Sequence, residues 1–93
     1  MIKSFKGAAA QAIWERRVPR GMSPDFARIV LRKLRYLDAA SVLSDLSAPP
    51  GNRLETLRKD RMGQHSIRVN DQYRLCFIWR AGDVDDVELV DYH

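Results

Sequence analysis

Arginine recurs through the second half of the sequence, in Arg53, Arg58, Arg61, Arg68 and Arg74, beside a carboxylate, a phenol and an imidazole in Glu55, Tyr92 and His93. A guanidinium stays charged, and its planar fork can hold two phosphate oxygens at once. Glu55, Tyr92 and His93 are the groups that could move a proton. Together they suit metal-independent RNA cleavage, in which the substrate's own 2′-OH attacks the adjacent phosphorus. The protein then supplies a base, an acid and cations for the charge of the phosphorane. Each residue also has a plainer reading. Glu55 can pair with Arg53 or Arg74 across strands, Tyr92 can pack on a sheet edge, and His93 reads equally as a frayed end. Arg58, Lys59 and Arg61 fall in a turn, where charge is usual. His65, in phase with Ile67 and Val69, reads as a half-buried core histidine, and Cys76 as a small packed residue.

Strands must carry these side chains. Ile67, Val69, Tyr73, Leu75, Phe77 and Trp79 alternate with Ser66, Arg68, Arg74 and Arg80, so one face of a sheet is apolar and the other is charged and open. Strands are expected over 1–6, over 54–58 with an irregularity between Leu54 and Leu57, and over 64–69, 72–80 and 86–90. Helix-forming alanines place a short helix over Ala8 to Arg17. A longer one starts at Ser23-Pro24-Asp25, a serine cap followed by proline and an acid in the first turn. Phe26, Ile29, Val30, Leu34 and Leu37 form its apolar stripe, opposite Arg28, Arg32 and Arg35. That basic face reads first as solvated surface, and second as a contact for nucleic acid or an acidic partner. Asp38 to Leu46 closes the helix with a further turn. The order strand, two helices, four strands joined by short turns gives an α+β fold: a small antiparallel sheet packed against two N-terminal helices.

At 93 residues the chain is expected to be a single domain, 1–93. Its net charge of +4 and pI of about 9.6 favour a polyanionic partner. All sixteen Lys and Arg lie in residues 1–80, and five of the twelve acids lie after them. One cysteine excludes an internal disulfide, and with two histidines it cannot make an all-Cys/His zinc site. No glycine-rich phosphate loop, His–Glu metal motif or nucleophile elbow is present. Neither metal nor cofactor is expected. The opening residues lack the apolar stretch of a signal peptide and no run has the length of a membrane span, so a cytoplasmic protein without membrane contact is expected.

Longer motifs carry a resemblance. Pro50-Gly51-Asn52-Arg53-Leu54-Glu55, Leu57-Arg58-Lys59-Asp60-Arg61, Gly63-Gln64, Ser66-Ile67-Arg68, Asn70-Asp71-Gln72-Tyr73-Arg74 and Asp91-Tyr92-His93, with Met1-Ile2-Lys3-Ser4-Phe5 at the start, resemble the HigB toxins of the RelE/ParE superfamily, the plasmid-maintenance killer proteins. The resemblance implies a RelE-like fold in the order βααββββ. It also implies the toxin of a type II toxin-antitoxin pair, a ribosome-dependent endoribonuclease that cuts mRNA in the A site and so inhibits translation. Its partners would be the ribosome, mRNA and a HigA-like helix-turn-helix antitoxin. Arg58, Asp91, Tyr92 and His93 match the family's catalytic surface and Arg74 the position of a central-strand arginine facing it; Glu55 is a further catalytic candidate, and Arg53, Arg61, Arg68 and Arg74 are expected to bind RNA phosphates. Some members have histidine where this chain has Glu55 and lysine where it has Arg58. Glutamate keeps a possible base of lower ordinary pKa, and arginine keeps the cation but not an acid. Two other readings stay open: a ParE-like gyrase inhibitor, which the Asp-Tyr-His motif disfavours, and a non-catalytic basic module that binds nucleic acid or protein.

Overall fold

The computed structural model describes residues 1–49 and 51–92. Helix α1 runs over Ala8–Trp14 and α2 over Pro24–Ala39, followed by strands β1 (Glu55–Thr56), β2 (His65–Arg68), β3 (Tyr73–Arg80) and β4 (Asp83–Asp91). The strands form one antiparallel sheet in sequence order, β1-β2-β3-β4. Two helices and a four-stranded antiparallel sheet make the expected α+β architecture.

The expected first strand is reduced to two parallel bridges, Ile2 to Val84 and Phe5 to Val87, which lay the N-terminal segment along β4. Helix α1 stops three residues short of the expected Arg17. Arg17 N–H returns to the Ala12 carbonyl at 2.8 Å and Arg16 N–H to that of Ile13 at 3.0 Å. This is a Schellman closure with Arg16 in the left-handed position at φ 67°. Helix α2 begins as its sequence predicts: the Ser23 side chain accepts from Phe26 N–H at 3.1 Å and Pro24 opens the first turn. Its buried stripe is Ala27, Val30, Leu34 and Leu37, with Lys33 beside them. Ile29, expected in that stripe, is 36% exposed because it lies about 100° round the helix from Val30.

β1 is only two residues long, since Arg53 takes a left-handed φ of 46° just before it. β4 starts at Asp83 rather than 86. Ala81 and Gly82, at φ 49° and 96°, supply the positive angles of a tight hairpin turn, so pairing with β3 begins at once. A bulge at Asp86 (φ 52°) interrupts the β3–β4 register opposite Phe77. The acids at the head of β4 hide this start from an apolar-alternation reading.

The sheet's apolar face carries Ile67, Val69, Leu75, Phe77, Val84 and Val87 into one core with Ala10, Ile13, Ala27, Val30, Leu34 and Leu37 of the helices. Burying each of the larger of these side chains stabilises the fold by about 2 kcal/mol. The second face departs from expectation, because it is not simply open. Ser66 and Cys76 are fully buried and Arg74 is 8% exposed.

Candidate functional site

The second face is built in rows. Antiparallel register sets Glu55 opposite Ser66, Ser66 opposite Cys76 and Cys76 opposite Glu88; the neighbouring row runs Arg68, Arg74, Val90. The turn at Lys59–Arg61 leans over this face, for Arg61 reaches from it to β4 and donates to Glu88 Oε1 at 3.1 Å and to Gln64 Oε1 at 3.2 Å. Glu88 holds the Arg61 guanidinium more firmly protonated. Between this turn and the end of β4 lies an open hollow of about 320 Å³, lined by Arg58, Lys59, Asp60, Arg61, Val90, Asp91 and Tyr92. Residues 34 positions apart in sequence, Arg58 and Tyr92, thus share one concavity.

Within it the cations differ. Arg61 is tied to Glu88, whereas Arg58 and Lys59 are exposed and no hydrogen bond or ion pair engages their side chains among the described residues. Lys59 holds a left-handed φ of 57°, a conformation that non-glycine residues adopt at an energetic cost. Opposite them, Gln72 secures the end of β4. Its side-chain amide donates to Asp91 Oδ2 at 3.0 Å and its carbonyl accepts from Tyr92 N–H at 2.6 Å. Asn70 in turn accepts from Gln72 and Tyr73 N–H, each at 2.8 Å, an Asx turn that sets Gln72 in place. Tyr92 is 41% exposed, with room for a ring to face a ligand.

Of the expected site residues, Arg58, Arg61, Asp91 and Tyr92 line the hollow. His93 lies outside the described residues. Glu55 is exposed on the edge strand, with its carboxylate 3.9 Å from Arg74. Arg53 is exposed and takes part through its carbonyl, which accepts from Arg74 Nη2. Arg68 is half-buried and paired with Asp71. Arg74, expected as a phosphate ligand, is committed inward: Nε donates to Ser66 Oγ at 2.7 Å and Nη2 to the Ser66 carbonyl at 3.4 Å and to that of Arg53. The same Nη2 lies 3.9 Å from the exposed Glu55 carboxylate. Lys59 and Gln72 are not among the expected site residues: one reads as turn charge and the other as a strand end, and the hairpin register that places Gln72 against Asp91 leaves no local signal.

Other reactive groups stand aside. Burial pushes the Cys76 thiol up, away from nucleophilic thiolate. His65 packs near Phe77, with ring centroids 6.0 Å apart, and its Nδ1 lies 3.2 Å from Thr56 Oγ1; burial lowers its pKa, keeping it neutral near pH 7. Among the described residues, no cluster of three or more His, Cys, Asp or Glu could hold a metal ion, and no helix is long and apolar enough to cross a membrane.

Comparison with known proteins identifies the family and the fold. Residues 3–93 match the family model described as the RelE-like toxin of type II toxin-antitoxin system HigB. The chain is similar to Toxin HigB-1 of Vibrio cholerae, 54% identical over 63 residues that cover 68% of this chain and 62% of that one. An uncharacterized Haemophilus influenzae protein is 37% identical over 62 residues, 67% of this chain and 61% of that one. The matches to these two relatives thus span less than two thirds of their length. Endoribonuclease HigB of Proteus vulgaris is 30% identical over 93 residues, the whole of both chains. Among solved structures, the fold is similar to a chain in the heterotetrameric YoeB-YefM toxin-antitoxin complex of Staphylococcus aureus, at a TM-score of 0.63 and 14% identity over 100% of this chain and 98% of that one. A second YoeB-YefM structure from the same organism gives a TM-score of 0.58, also at 14% identity, with 100% and 98% covered.

Proposed function

The chain belongs to the HigB-like toxin family of type II toxin-antitoxin systems, and on that premise we propose that it is an endoribonuclease that cuts mRNA on the ribosome, in the A site, and thereby stops translation. The observation that carries this reading is the hollow between the Lys59–Arg61 turn and Val90-Asp91-Tyr92, where unpaired Arg58 and Lys59 face a carboxylate and a phenol. Both side chains lack a protein partner among the described residues and are available to an incoming phosphate.

In the proposed reaction the 2′-oxygen attacks phosphorus, the bond to the 5′-oxygen breaks, and a 2′,3′-cyclic phosphate remains. Glu55 or His93 accepts the 2′-OH proton, and the leaving 5′-oxygen takes one up. Arg58, with Lys59 and Arg61 beside it, holds the phosphate and offsets charge on the phosphorane. Tyr92 stacks on or orients a base, and Asp91 orients its neighbours. Arg74 acts from below by fixing Glu55, and Arg53 and Arg68 supply outer contacts to the RNA backbone. RNA provides its own nucleophile, so the residues in place suffice without a metal or cofactor. The proposed partners are the ribosome, mRNA and a helix-turn-helix antitoxin of HigA type, in the cytoplasm. An antitoxin partner is supported by the family and by the toxin-antitoxin complexes that share the fold.

The test is induced expression with mapping of new mRNA 5′ ends, alongside purified protein added to translating ribosomes and to naked mRNA. The expected result is cleavage within ribosome-bound codons only. An SOS response with intact mRNA would instead favour gyrase inhibition, and salt-sensitive binding without cleavage a basic binding module.

A further inference from the structure

The described residues bury four polar or charged side chains, Lys33, Asn52, Ser66 and Arg74. They are not scattered. Lys33 Nζ, on the inner side of α2, donates to Asn52 Oδ1 at 2.5 Å, and Asn52 Nδ2 donates to the Leu46 carbonyl at 3.0 Å. The Asn52 carbonyl accepts from Arg68 N–H at 2.5 Å, which fixes the segment against the edge of β2. The next carbonyl, that of Arg53, receives Arg74 Nη2, and Arg74 continues to Ser66 and lies 3.9 Å from Glu55. One chain of contacts therefore runs from the helical layer, round the sheet edge, to the face that carries the proposed site.

Lys33 is the unusual member. It is 7% exposed, and its cation meets an amide oxygen and, at 5.6 Å, the face of Tyr36. No ion pair of Lys33 is present among the described residues, and burial together with Arg32 and Arg68 nearby lowers its pKa. A buried cation lacking a carboxylate is poor material for stability, and an unbranched apolar side chain of similar length would fill the same space at less desolvation cost. What Lys33 does instead is hold Asn52, and through it the backbone at Arg53 that takes a left-handed φ of 46°. We infer that Lys33 and Asn52 are positioning residues of the proposed RNA-cleaving site, acting through the Arg53 carbonyl and Arg74 to place Glu55. This rests on the functional reading above.

The test compares wild type with Lys33→Met, reading the melting temperature, the Arg74 Nε–H resonance by NMR, and kcat and KM for cleavage of ribosome-bound mRNA. The expected result is a melting temperature within about 3 °C of wild type, a displaced Arg74 Nε–H resonance, and kcat lowered about tenfold at unchanged KM. Lys33→Arg, which retains a donor, recovers most of that kcat. Asn52→Ala reads the same link from its other side and keeps the test alive if Lys33→Met does not fold. A folded variant of either residue with the Arg74 resonance in place and wild-type kcat would overturn the inference. A wild-type chain that cuts no mRNA removes the functional reading instead, and the Arg74 resonance still tests the link.

Discussion

At the scale of single residues, the arginines of the second face have distinct states. Arg74 is buried with Nε and Nη2 engaged, Arg61 is tied to Glu88, Arg68 to Asp71, and Arg58 is exposed and unpaired among the described residues. In the proposed reaction, phosphate charge is therefore met first by Arg58. Arg58→Ala should lower kcat for ribosome-bound mRNA about a hundredfold and leave the melting temperature unchanged, since no contact is lost. Arg58→Lys should recover part of the loss by restoring a point charge without the fork. Single-turnover cleavage with thermal melts of the same samples checks both. His65 gives a prediction of a different kind. Burial lowers its pKa below 6.5, so between its folded value and 6.5 the unfolded chain binds more protons than the folded one. Stability must then fall as pH drops through 6.5 toward the folded pKa. Melting temperatures measured across that window should show this slope, and His65→Gln should flatten it.

At the scale of elements, the parts with strong local chemistry were legible and the parts set by register were not. Ser23-Pro24 announces α2 because cap and first turn are encoded in adjacent residues. The alternation of Leu75 and Phe77 with Arg74 and Cys76 marks β3 and its two faces in the same way. The end of α1 is not legible in the sequence, since a Schellman closure normally calls for glycine and this chain places Arg16 there at φ 67°. Arg16→Gly should accordingly stabilise the protein by about 1 kcal/mol, visible as a higher melting temperature with cleavage unaffected. The candidate site was half legible: Arg58 and Tyr92 stand out by type, yet that they share a hollow depends on the Lys59–Arg61 turn leaning over the sheet. The inward commitment of Arg74 to Ser66 and Arg53 also needed tertiary structure, for alternation alone gives an arginine on that face no reason to be buried.

At the scale of the molecule, two layers divide the work. Helices and the apolar sheet face make the core, while the opposite face, with a turn laid over it and the end of β4 beside it, carries the candidate site. The net charge of +4 draws a polyanion to such a surface, but attraction alone does not distinguish a nuclease from a binding module. In the proposed reaction RNA supplies the nucleophile and the protein supplies cations and proton transfer. Ribosome-bound mRNA carrying a single 2′-deoxy nucleotide at a mapped cleavage position should therefore stay uncut at that position, while unmodified mRNA yields a 2′,3′-cyclic phosphate end. Undiminished cleavage at the 2′-deoxy position would contradict this reaction.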